Sequence, residues 1–308
     1  MITSPLLLLE SIRVRLDTGC HLRCFFCNSW HKKETRLSEQ AFLSVLEAAR
    51  TNGAQHIALS GGEPLISPAL DSSLSAIHKV GLPSHITTSG IGLAEMAPRL
   101  ASMGVTDIHL SLESLDGQTR FSDSGESDPA TLFAGIESCS AHGLRVELNY
   151  LVLRGKNWGI DHARRLVDFA TSNSLDISLL DLLYSWNSNL EPFHVPAEEI
   201  RAFLTHEFGL IERIVVREGT VQTEFSCGNI RIRLRDFRAR PEVSICAQCA
   251  TDSRHLGLTP PQISTAGTLA FCSHSRFDVG KSADEAAAAY VDMSRRFEQI
   301  ESLHWTRT

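Results

Sequence analysis

The sequence contains no long apolar run. Before Ser11 the longest purely apolar stretch covers only residues 6–9. A membrane-spanning helix needs about 20 apolar residues, and the apolar part of a secretory signal needs about 7 to 15. The sequence therefore predicts no membrane partner, and we expect a soluble protein of the cytoplasm.

Long runs of one charge, internal repeats and low-complexity segments are absent as well. The formal net charge is -7, and charges of both signs are spread along the chain. Binding to nucleic acid needs a broad basic surface that neutralises phosphates, so we expect no nucleic-acid partner. This balance of charge favours a small-molecule substrate.

Apolar residues are plentiful and follow a regular pattern. The chain has 308 residues, of which 43% are hydrophobic, enough for one large domain with a smaller appendage. From residue 11 to residue 183, six short runs rich in β-branched residues alternate with amphipathic stretches, as in βα units around a parallel sheet. We predict an α/β fold built as a partial (β/α)6 TIM-type barrel.

The alternation stops after a helical stretch at residues 196–208. Residues 211–217, 221–225 and 229–234 then have the pattern of three consecutive strands, and an alanine-rich helical stretch closes the chain. We therefore predict three parts: the barrel at residues 1–209, a small C-terminal α+β module at 210–281, and a C-terminal helix within 282–308.

The eight cysteines indicate metal or redox chemistry, because the chain is long and lacks an export signal. Cys20, Cys24 and Cys27 follow the first predicted strand, where a barrel has its active-site loops. Three thiolates this close can bind three irons of one iron–sulfur cube and leave the fourth iron open. The alternative is a structural zinc site, which usually has four ligands. Cys139 lies on a predicted amphipathic helix and is interpreted as core.

The C-x3-C-x2-C spacing, with Phe26 before the last cysteine, resembles the signature of the radical S-adenosylmethionine (SAM) superfamily. This resemblance implies a [4Fe–4S] cluster, SAM as second cofactor, and cleavage of SAM to a 5′-deoxyadenosyl radical that takes a hydrogen atom from the substrate. Further strand-end segments resemble SAM-binding segments of the family, although each alone is typical of a turn or helix cap. Their predicted SAM contacts are Phe26, Gly61, Gly62, Glu63, Pro64, Thr88, Ser89 and Ser111.

More narrowly, residues 11–160 and the region from 246 onward resemble the GTP 3′,8-cyclase of molybdenum-cofactor synthesis and its MoaA-like relatives. Arg13 matches a substrate-binding arginine of that family, and Asn149 lies in a matching strand. Cys246, Cys249 and Cys272 resemble ligands of an auxiliary [4Fe–4S] cluster in a twitch-type domain, with a hairpin turning at residues 266–267.

Two readings of these cysteines stay open. A zinc ribbon is the alternative to the auxiliary cluster, and it needs a fourth ligand. Cys227 is either that fourth ligand, for zinc or for the cluster, or a thiol that donates hydrogen to the substrate radical.

Other positions depart from the cyclase. Glu147, Ala58, Pro260 and Gln262 stand where the cyclase has basic residues, and a carboxylate facing a triphosphate would repel it. We therefore predict another polar substrate, a sugar or nucleoside of a natural-product pathway, that is epimerised or dehydrogenated. Asp181 and Tyr184, after the sixth strand, are candidates for hydrogen bonding it, or else ordinary strand-end residues. The alternatives are a true GTP 3′,8-cyclase and a non-catalytic iron–sulfur or other metal-binding protein.

Three arginines alternate with apolar residues in the predicted strand at residues 229–234 and beyond. Arg231, Arg233 and Arg235 would share one strand face. We interpret this stripe as a solvated sheet edge, where charge blocks the addition of further strands. The weaker hypothesis is a contact with an anionic substrate or with the flavodoxin- or ferredoxin-type reductant that the family resemblance implies.

Overall fold

A computed structural model describes most of the barrel region and short pieces of the C-terminal part. The described residues are 10–16, 19–27, 38–115, 129–182, 187–217, 220–235, 262–264, 268–270, 277–278, 284–285, 287–292 and 295. None of the described helices is long and apolar enough to cross a membrane.

Six parallel strands form the centre of the fold, and each is hydrogen-bonded to the next along the chain. They are β1 (Ser11–Arg15), β2 (His56–Ser60), β3 (Ser84–Thr88), β4 (Val105–Ser111), β5 (Arg145–Leu151) and β6 (Asp176–Leu180). The helices are α1 (Glu39–Thr51), α2 (Leu70–Val80), α3 (Leu93–Ser102), α4 (Pro129–Ala141), α5 (Ile160–Asn173) and α6 (Ala197–Phe208). This alternation confirms the predicted partial TIM-type barrel.

Helix α1 forms where a polar cap and an apolar face coincide. Helix α1 begins after Ser38, whose hydroxyl accepts a hydrogen bond from the amide of Ala41 at 3.2 Å. Its buried residues, Phe42, Val45, Leu46 and Ala49, recur at helical spacing and pack into the main core. The helices thereby cover one face of the sheet.

The two faces of the sheet differ in character. On the outer face, which packs against the helices, Ile57, Ile86 and Ile108 are fully buried in the main core. Strand residues alternate between the faces, so the inner face carries the intervening polar residues, among them His85, His109 and Glu147. TIM-type barrels usually fill their interior with branched aliphatic residues. A polar interior therefore indicates a binding role.

Three further strands extend this sheet beyond β6. Strands β7 (Glu212–Arg217), β8 (Thr220–Cys227) and β9 (Ile230–Arg235) form an antiparallel meander, and β9 pairs in parallel with β6. Because β9 lies between β6 and β8, the interpretation of its arginine stripe as a solvated edge is wrong. The domain boundary at residue 209 stays a prediction, although strands on both sides of it share one sheet.

The other end of the sheet is extended at β1. Strand β10 (Gln262–Ser264) pairs in parallel with β1. Strand β11 (Thr268–Ala270) pairs with β10 in the antiparallel direction. The two-residue strand β12 (Phe277–Asp278) follows, antiparallel to β11. This pairing agrees with the predicted hairpin, whose turn lies outside the described residues. Residues 287–292 are helical, and Tyr290 is fully buried in the main core.

Candidate active site

The three clustered cysteines lie on the loop that follows β1, at the carboxyl end of the barrel strands. Cys20, Cys24 and Cys27 are all half-buried, and none of the three is in a disulfide. The amide of Cys27 donates to the carbonyl of Cys24 at 3.0 Å, and the amide of Leu22 donates to Sγ of Cys20 at 3.3 Å. Amide hydrogen bonds to sulfur are a recurrent feature of iron–sulfur ligation and tune its potential.

The surroundings of Cys20 act on its protonation. Burial raises the pKa of the Cys20 thiol, the amide of Leu22 lowers it, and the negative charges of Glu63 and Cys27 raise it again. The pKa therefore lies above its ordinary value, and the thiol stays protonated until a metal displaces the proton. In the described parts of the chain, no three His, Cys, Asp or Glu side chains converge on a position for a single metal ion. The donor set, three half-buried thiols on one loop, fits an iron–sulfur cluster.

Glu63 joins the cysteine loop to the loops that follow β2 and β3. Its backbone amide donates to the carbonyl of Gly19 at 2.7 Å. Glu63 is 1% exposed. Its carboxylate accepts hydrogen bonds from Thr88 Oγ1 at 2.6 Å and from the amide and hydroxyl of Ser89 at 2.8 and 2.7 Å. The amide of Leu65 also donates to it, at 3.0 Å. Glu63 thus fixes the geometry of three loops that resemble SAM-binding segments.

The loop after β3 needs a glycine at position 90. Gly90 has φ +85°, a conformation that side chains disfavour, and a Cβ there would lie 2.6 Å from Leu110 and 2.8 Å from Leu132. Its amide donates to Thr88 Oγ1 at 3.0 Å. Gly90 therefore lets the loop turn tightly enough for Thr88 and Ser89 to reach Glu63.

An apolar cluster covers the other side of the cysteine loop. Phe25 makes edge-to-face contacts with Phe26 and Phe193, with ring centroids 5.3 Å apart in both pairs. The remaining members of this small cluster, which we call the lid cluster, are Leu151, Leu153, Leu182 and Leu190. Apolar packing of this kind limits the access of water to a metal site. Phe26 also belongs to the lid cluster, and its contact with SAM stays a prediction.

Asp181, directly after β6, is paired with a residue of a later segment. Its carboxylate lies 2.8 Å from Nε2 of His194, and both side chains are buried. The carbonyl of His194 accepts a hydrogen bond from Nε of Arg154 at 3.1 Å. Asp181 thus anchors the segment that carries Phe193, and its role in substrate binding stays a prediction. Tyr184, the other candidate after β6, lies outside the described residues.

The inner face of the barrel holds the other predicted substrate residues. Arg13 is half-buried on β1, and Asn149 is buried on β5. Ser111, a predicted SAM contact on β4, is in register with Asn149. These residues lie on the inner face of the barrel, where Ser111, predicted for SAM, and Asn149, predicted for substrate, are neighbours on adjacent strands.

Glu147 takes part in a buried ionic network with Arg233, which is 2% exposed. Arg233 contacts Glu147 at 2.7 Å, Asp176 at 3.0 Å and Glu224 at 3.1 Å. The guanidinium of Arg235 also lies near the carboxylate of Glu147, at 3.8 Å. The carboxylate of Glu147 is therefore compensated by arginines, and the predicted repulsion of an anionic substrate by Glu147 is not supported.

The network shifts the pKa values of its members. Burial alone would raise the pKa of Asp176, but hydrogen bonds from Arg231 and the charges of Arg233 and Arg231 outweigh it and lower that pKa. The pKa of Glu224 is lowered in the same way, because hydrogen bonds from Arg213 and Arg233 outweigh the burial of its carboxyl. Burial would lower the pKa of Arg233, but the neighbouring carboxylates raise it. All three groups are held in their charged forms.

Cys227 lies at the opposite end of the barrel from the three clustered cysteines. It pairs with Ile230 at the start of β9 and packs against the main core on the outer face. Burial raises the pKa of its thiol, and the charge of Asp168 on α5 adds to this. The outward position corrects the prediction of a hydrogen-donating thiol in the barrel interior. Its alternative role as a cluster or zinc ligand stays a prediction, because Cys246, Cys249 and Cys272 lie outside the described residues.

Some residues of the site were not found by sequence reasoning. Phe193 ends a 3-10 helix (Ser188–Phe193), and His194 follows it. This segment is far along the chain from the cysteines, and no local pattern connects the two. Arg233 was noticed as part of a stripe, but its three carboxylate partners come from β5, β6 and β8. Ser178 is a polar residue in the otherwise apolar middle of β6, and such a position could have indicated a polar side chain facing the barrel interior.

Comparisons with known proteins agree with this geometry. The sequence profile described as the Radical SAM superfamily matches residues 15–169. A protein of Sulfolobus acidocaldarius named "Probable GTP 3′,8-cyclase" is 28% identical over 247 residues, which cover 78% of this chain and 76% of that protein. The GTP 3′,8-cyclase of Rhodobacter capsulatus is 31% identical over 212 residues, 65% of this chain and 62% of that protein. The match therefore spans less than two thirds of the latter relative.

Solved structures share the fold at low sequence identity. SuiB of Streptococcus suis, solved with the precursor peptide SuiA, has a TM-score of 0.62 and 15% identity, covering 92% of this chain and 66% of that one. The protein anSMEcpe with bound AdoMet has a TM-score of 0.60 and 12% identity, covering 94% of this chain and 82% of that one. These likenesses support the α/β partial barrel.

Proposed function

This chain belongs to the radical SAM superfamily, and on that premise we propose that it abstracts a hydrogen atom from a polar small molecule held inside the barrel. It is an enzyme of the MoaA-like group that carries a [4Fe–4S] cluster and binds SAM. The observation that carries the proposal is the polar inner face of the barrel directly below the cysteine loop. We infer a sugar or nucleoside substrate whose radical is epimerised or dehydrogenated.

Each part of the site has a task in this reaction. When bound, the cluster and SAM supply the one-electron cleavage that produces a 5′-deoxyadenosyl radical. Cys20, Cys24 and Cys27 hold the cluster, and Glu63 keeps the SAM-binding loops in register with them. The lid cluster around Phe25 limits access of water, which would compete as a reactant. Arg13 and Asn149 orient the substrate so that one C–H bond faces the radical carbon.

Anaerobic reconstitution tests the core of the proposal. Wild-type protein supplied with iron, sulfide, SAM and reductant should form 5′-deoxyadenosine, detected by liquid chromatography and mass spectrometry. Cys24→Ala should abolish the product, whereas Cys139→Ala should retain it, because Cys139 is buried in the main core and its pKa is raised by burial to about 11. Absence of the product from wild type with every sugar and nucleoside supplied would contradict the proposal.

GTP is a second candidate substrate. The curated relatives are GTP 3′,8-cyclases, and Glu147 is compensated by Arg233 rather than open to repel a triphosphate. Ala58 and Gln262 still replace basic residues of the cyclase. Incubation with GTP separates the two candidates: formation of a cyclised GTP product identifies the cyclase, and turnover of a sugar or nucleoside without it supports the tailoring reaction.

We also propose an auxiliary [4Fe–4S] cluster on Cys246, Cys249 and Cys272. The resemblance to the MoaA-like family supports it. Iron and sulfide content should fall by about half in a variant with all three cysteines replaced by alanine, since one of two clusters would be lost. A lower iron content in Cys227→Ser than in wild type would identify Cys227 as the fourth ligand. Zinc in place of iron in the wild type would identify the zinc ribbon.

The remaining partners follow from this chemistry. A flavodoxin- or ferredoxin-type protein is the proposed electron donor, because cleavage of SAM needs one electron at low potential. Such donors and SAM are cytoplasmic, which supports a cytoplasmic location. Reduction of the reconstituted cluster by a flavodoxin system, followed by electron paramagnetic resonance, tests the electron donor.

A further inference from the structure

Two buried polar atoms on the inner face of the barrel lack a hydrogen-bond partner among the described residues. They are Oδ1 of Asn149 and Oγ of Ser178, and the two residues are 7% and 0% exposed. Buried polar groups are hydrogen-bonded in the great majority of cases, and an unpaired one is costly. The unpaired atoms therefore point to a ligand that completes them.

The two atoms belong to neighbouring strands and to one row of residues. Asn149 on β5 is in register with Ser178 on β6. The row continues to Ser111 on β4 at one end and to Arg233 on β9 at the other. We call these four residues the lumen row, because they follow one another across four strands on the inner face.

Both ends of the lumen row have other tasks. Arg233 is held by three carboxylates at 2.7 to 3.1 Å, which fixes its guanidinium in the ionic network. Ser111 lies at the end of β4, among the segments predicted to bind SAM. The two middle residues remain, and the lumen row places them between the SAM side of the interior and the ionic network.

The chemistry of the two atoms selects the ligand group. The amide oxygen of Asn149 accepts hydrogen bonds, and the hydroxyl of Ser178 both donates and accepts. Ligand hydroxyls satisfy both atoms, whereas a phosphate or carboxylate oxygen would face the amide oxygen as a second acceptor. Adjacent strands lie about 4.8 Å apart, a spacing that two hydroxyls on one ring can bridge.

We propose that Asn149 and Ser178 form a subsite for the hydroxyl groups of the substrate, in which Ser178 determines specificity. This inference rests on the proposed function and makes it more specific. The substrate class is a ring that carries at least two hydroxyls, such as a sugar or the ribose of a nucleoside. Its hydroxyls donate to Asn149 and exchange hydrogen bonds with Ser178.

Ser178→Ala tests the subsite, with Ser84→Ala as matched control. Ser84 is 1% exposed and its Oγ also lacks a partner among the described residues, but it is in register with Ile57 and faces the helices. Each substitution removes one buried hydroxyl, so any general effect on packing is shared. Calorimetry on cluster- and SAM-loaded enzyme, with a panel of monosaccharides and nucleosides, measures the dissociation constants.

The tightest wild-type ligand should bind Ser178→Ala about 10-fold more weakly, the loss expected for one buried hydrogen bond. It should bind Ser84→Ala as tightly as wild type. A deoxy analogue that lacks the recognised hydroxyl should bind wild type and Ser178→Ala equally. Equal affinities of all three proteins for the parent ligand would overturn the subsite.

Two other outcomes show whether the subsite or the proposed substrate class is wrong. A SAM dissociation constant raised in Ser178→Ala but not in Ser84→Ala would assign the hydroxyl to the ribose of SAM and overturn the substrate subsite. Binding of no panel member by wild type would overturn the proposed sugar or nucleoside substrate, and the inference with it. The proposed function alone survives when wild type binds a panel member and Ser178→Ala binds it equally well.

Discussion

At the scale of single residues, the loop after β3 depends on the absence of a side chain at position 90. Gly90 and Gly92 have similar positive φ values, +85° and +80°, but a Cβ at Gly90 would collide with Leu110 and Leu132, whereas nothing lies within 4 Å of one at Gly92. Gly90→Ala and Gly92→Ala therefore share backbone strain and differ in steric overlap. The comparison isolates the packing of this loop.

Gly90→Ala should lower the free energy of unfolding by about 1–3 kcal/mol more than Gly92→Ala, the usual cost of overpacking. Urea unfolding followed by circular dichroism measures both values. SAM should also bind more weakly to Gly90→Ala, since the loop carries Thr88 and Ser89. Equal losses in the two variants would show that Leu110 and Leu132 move aside without cost.

At the scale of elements, β9 is held in the sheet by its pairing with β6 and β8 and by the contacts of its arginines. Arg233 and Arg231 are on the same strand face, but the side chain of Arg233 is 2% exposed and that of Arg231 is 56% exposed. Arg233→Met removes the shared cation of Glu147, Glu224 and Asp176, the first two of which are buried, and should cost about 3–5 kcal/mol of unfolding free energy. Arg231→Met should cost at most about 1 kcal/mol. Chemical denaturation measures the difference, and comparable losses would contradict a buried network.

The segment that carries Phe193 is the second element with a separate task. Phe193→Ala removes the ring that covers Phe25, so the visible absorbance of the reconstituted cluster should decay several-fold faster in air than in wild type. Phe133→Ala is the control, because Phe133 is 40% exposed on α4 and its ring contacts Phe169, which is not a member of the lid cluster. Decay at the wild-type rate in Phe193→Ala would rule out shielding by the lid cluster.

At the scale of the whole molecule, the sequence predicts the fold and the cysteine site much better than the ionic network. The six βα units are visible because apolar periodicity is a local property, and the cysteine triad because its spacing is local. The partners of Arg233 are 9, 57 and 86 residues away along the chain. The pairing of β9 with β8 brings Glu224 to Arg233, and the pairing of β9 with β6, beside β5, brings Asp176 and Glu147. The position of Cys227 also depends on strand pairing, because only the pairing of β8 with β9 shows that it packs against the core on the outer face.

The ionic network also makes stability depend on pH. The pKa values of Asp176 and Glu224 are lower in the folded protein than their ordinary values, because the hydrogen bonds and charges of arginines outweigh burial. A carboxylate with a lowered folded pKa stabilises the fold above its unfolded pKa, and this contribution is lost as pH falls through the folded value. Unfolded Asp and Glu titrate near about pH 4. The network therefore contributes fully at neutral pH and is lost progressively below about pH 4.

Urea unfolding midpoints measured from pH 7 down to pH 3 should be level near neutrality and fall steeply in the acid range. In Arg233→Met the same acidification should have a smaller or opposite effect, because protonation relieves the repulsion among the network carboxylates that have lost their shared cation. Both proteins keep the same cysteine loop, so acid release of the cluster affects them alike and cancels in the comparison. Parallel acid profiles for the two proteins would show that the stability of this barrel at low pH is set elsewhere than at Arg233.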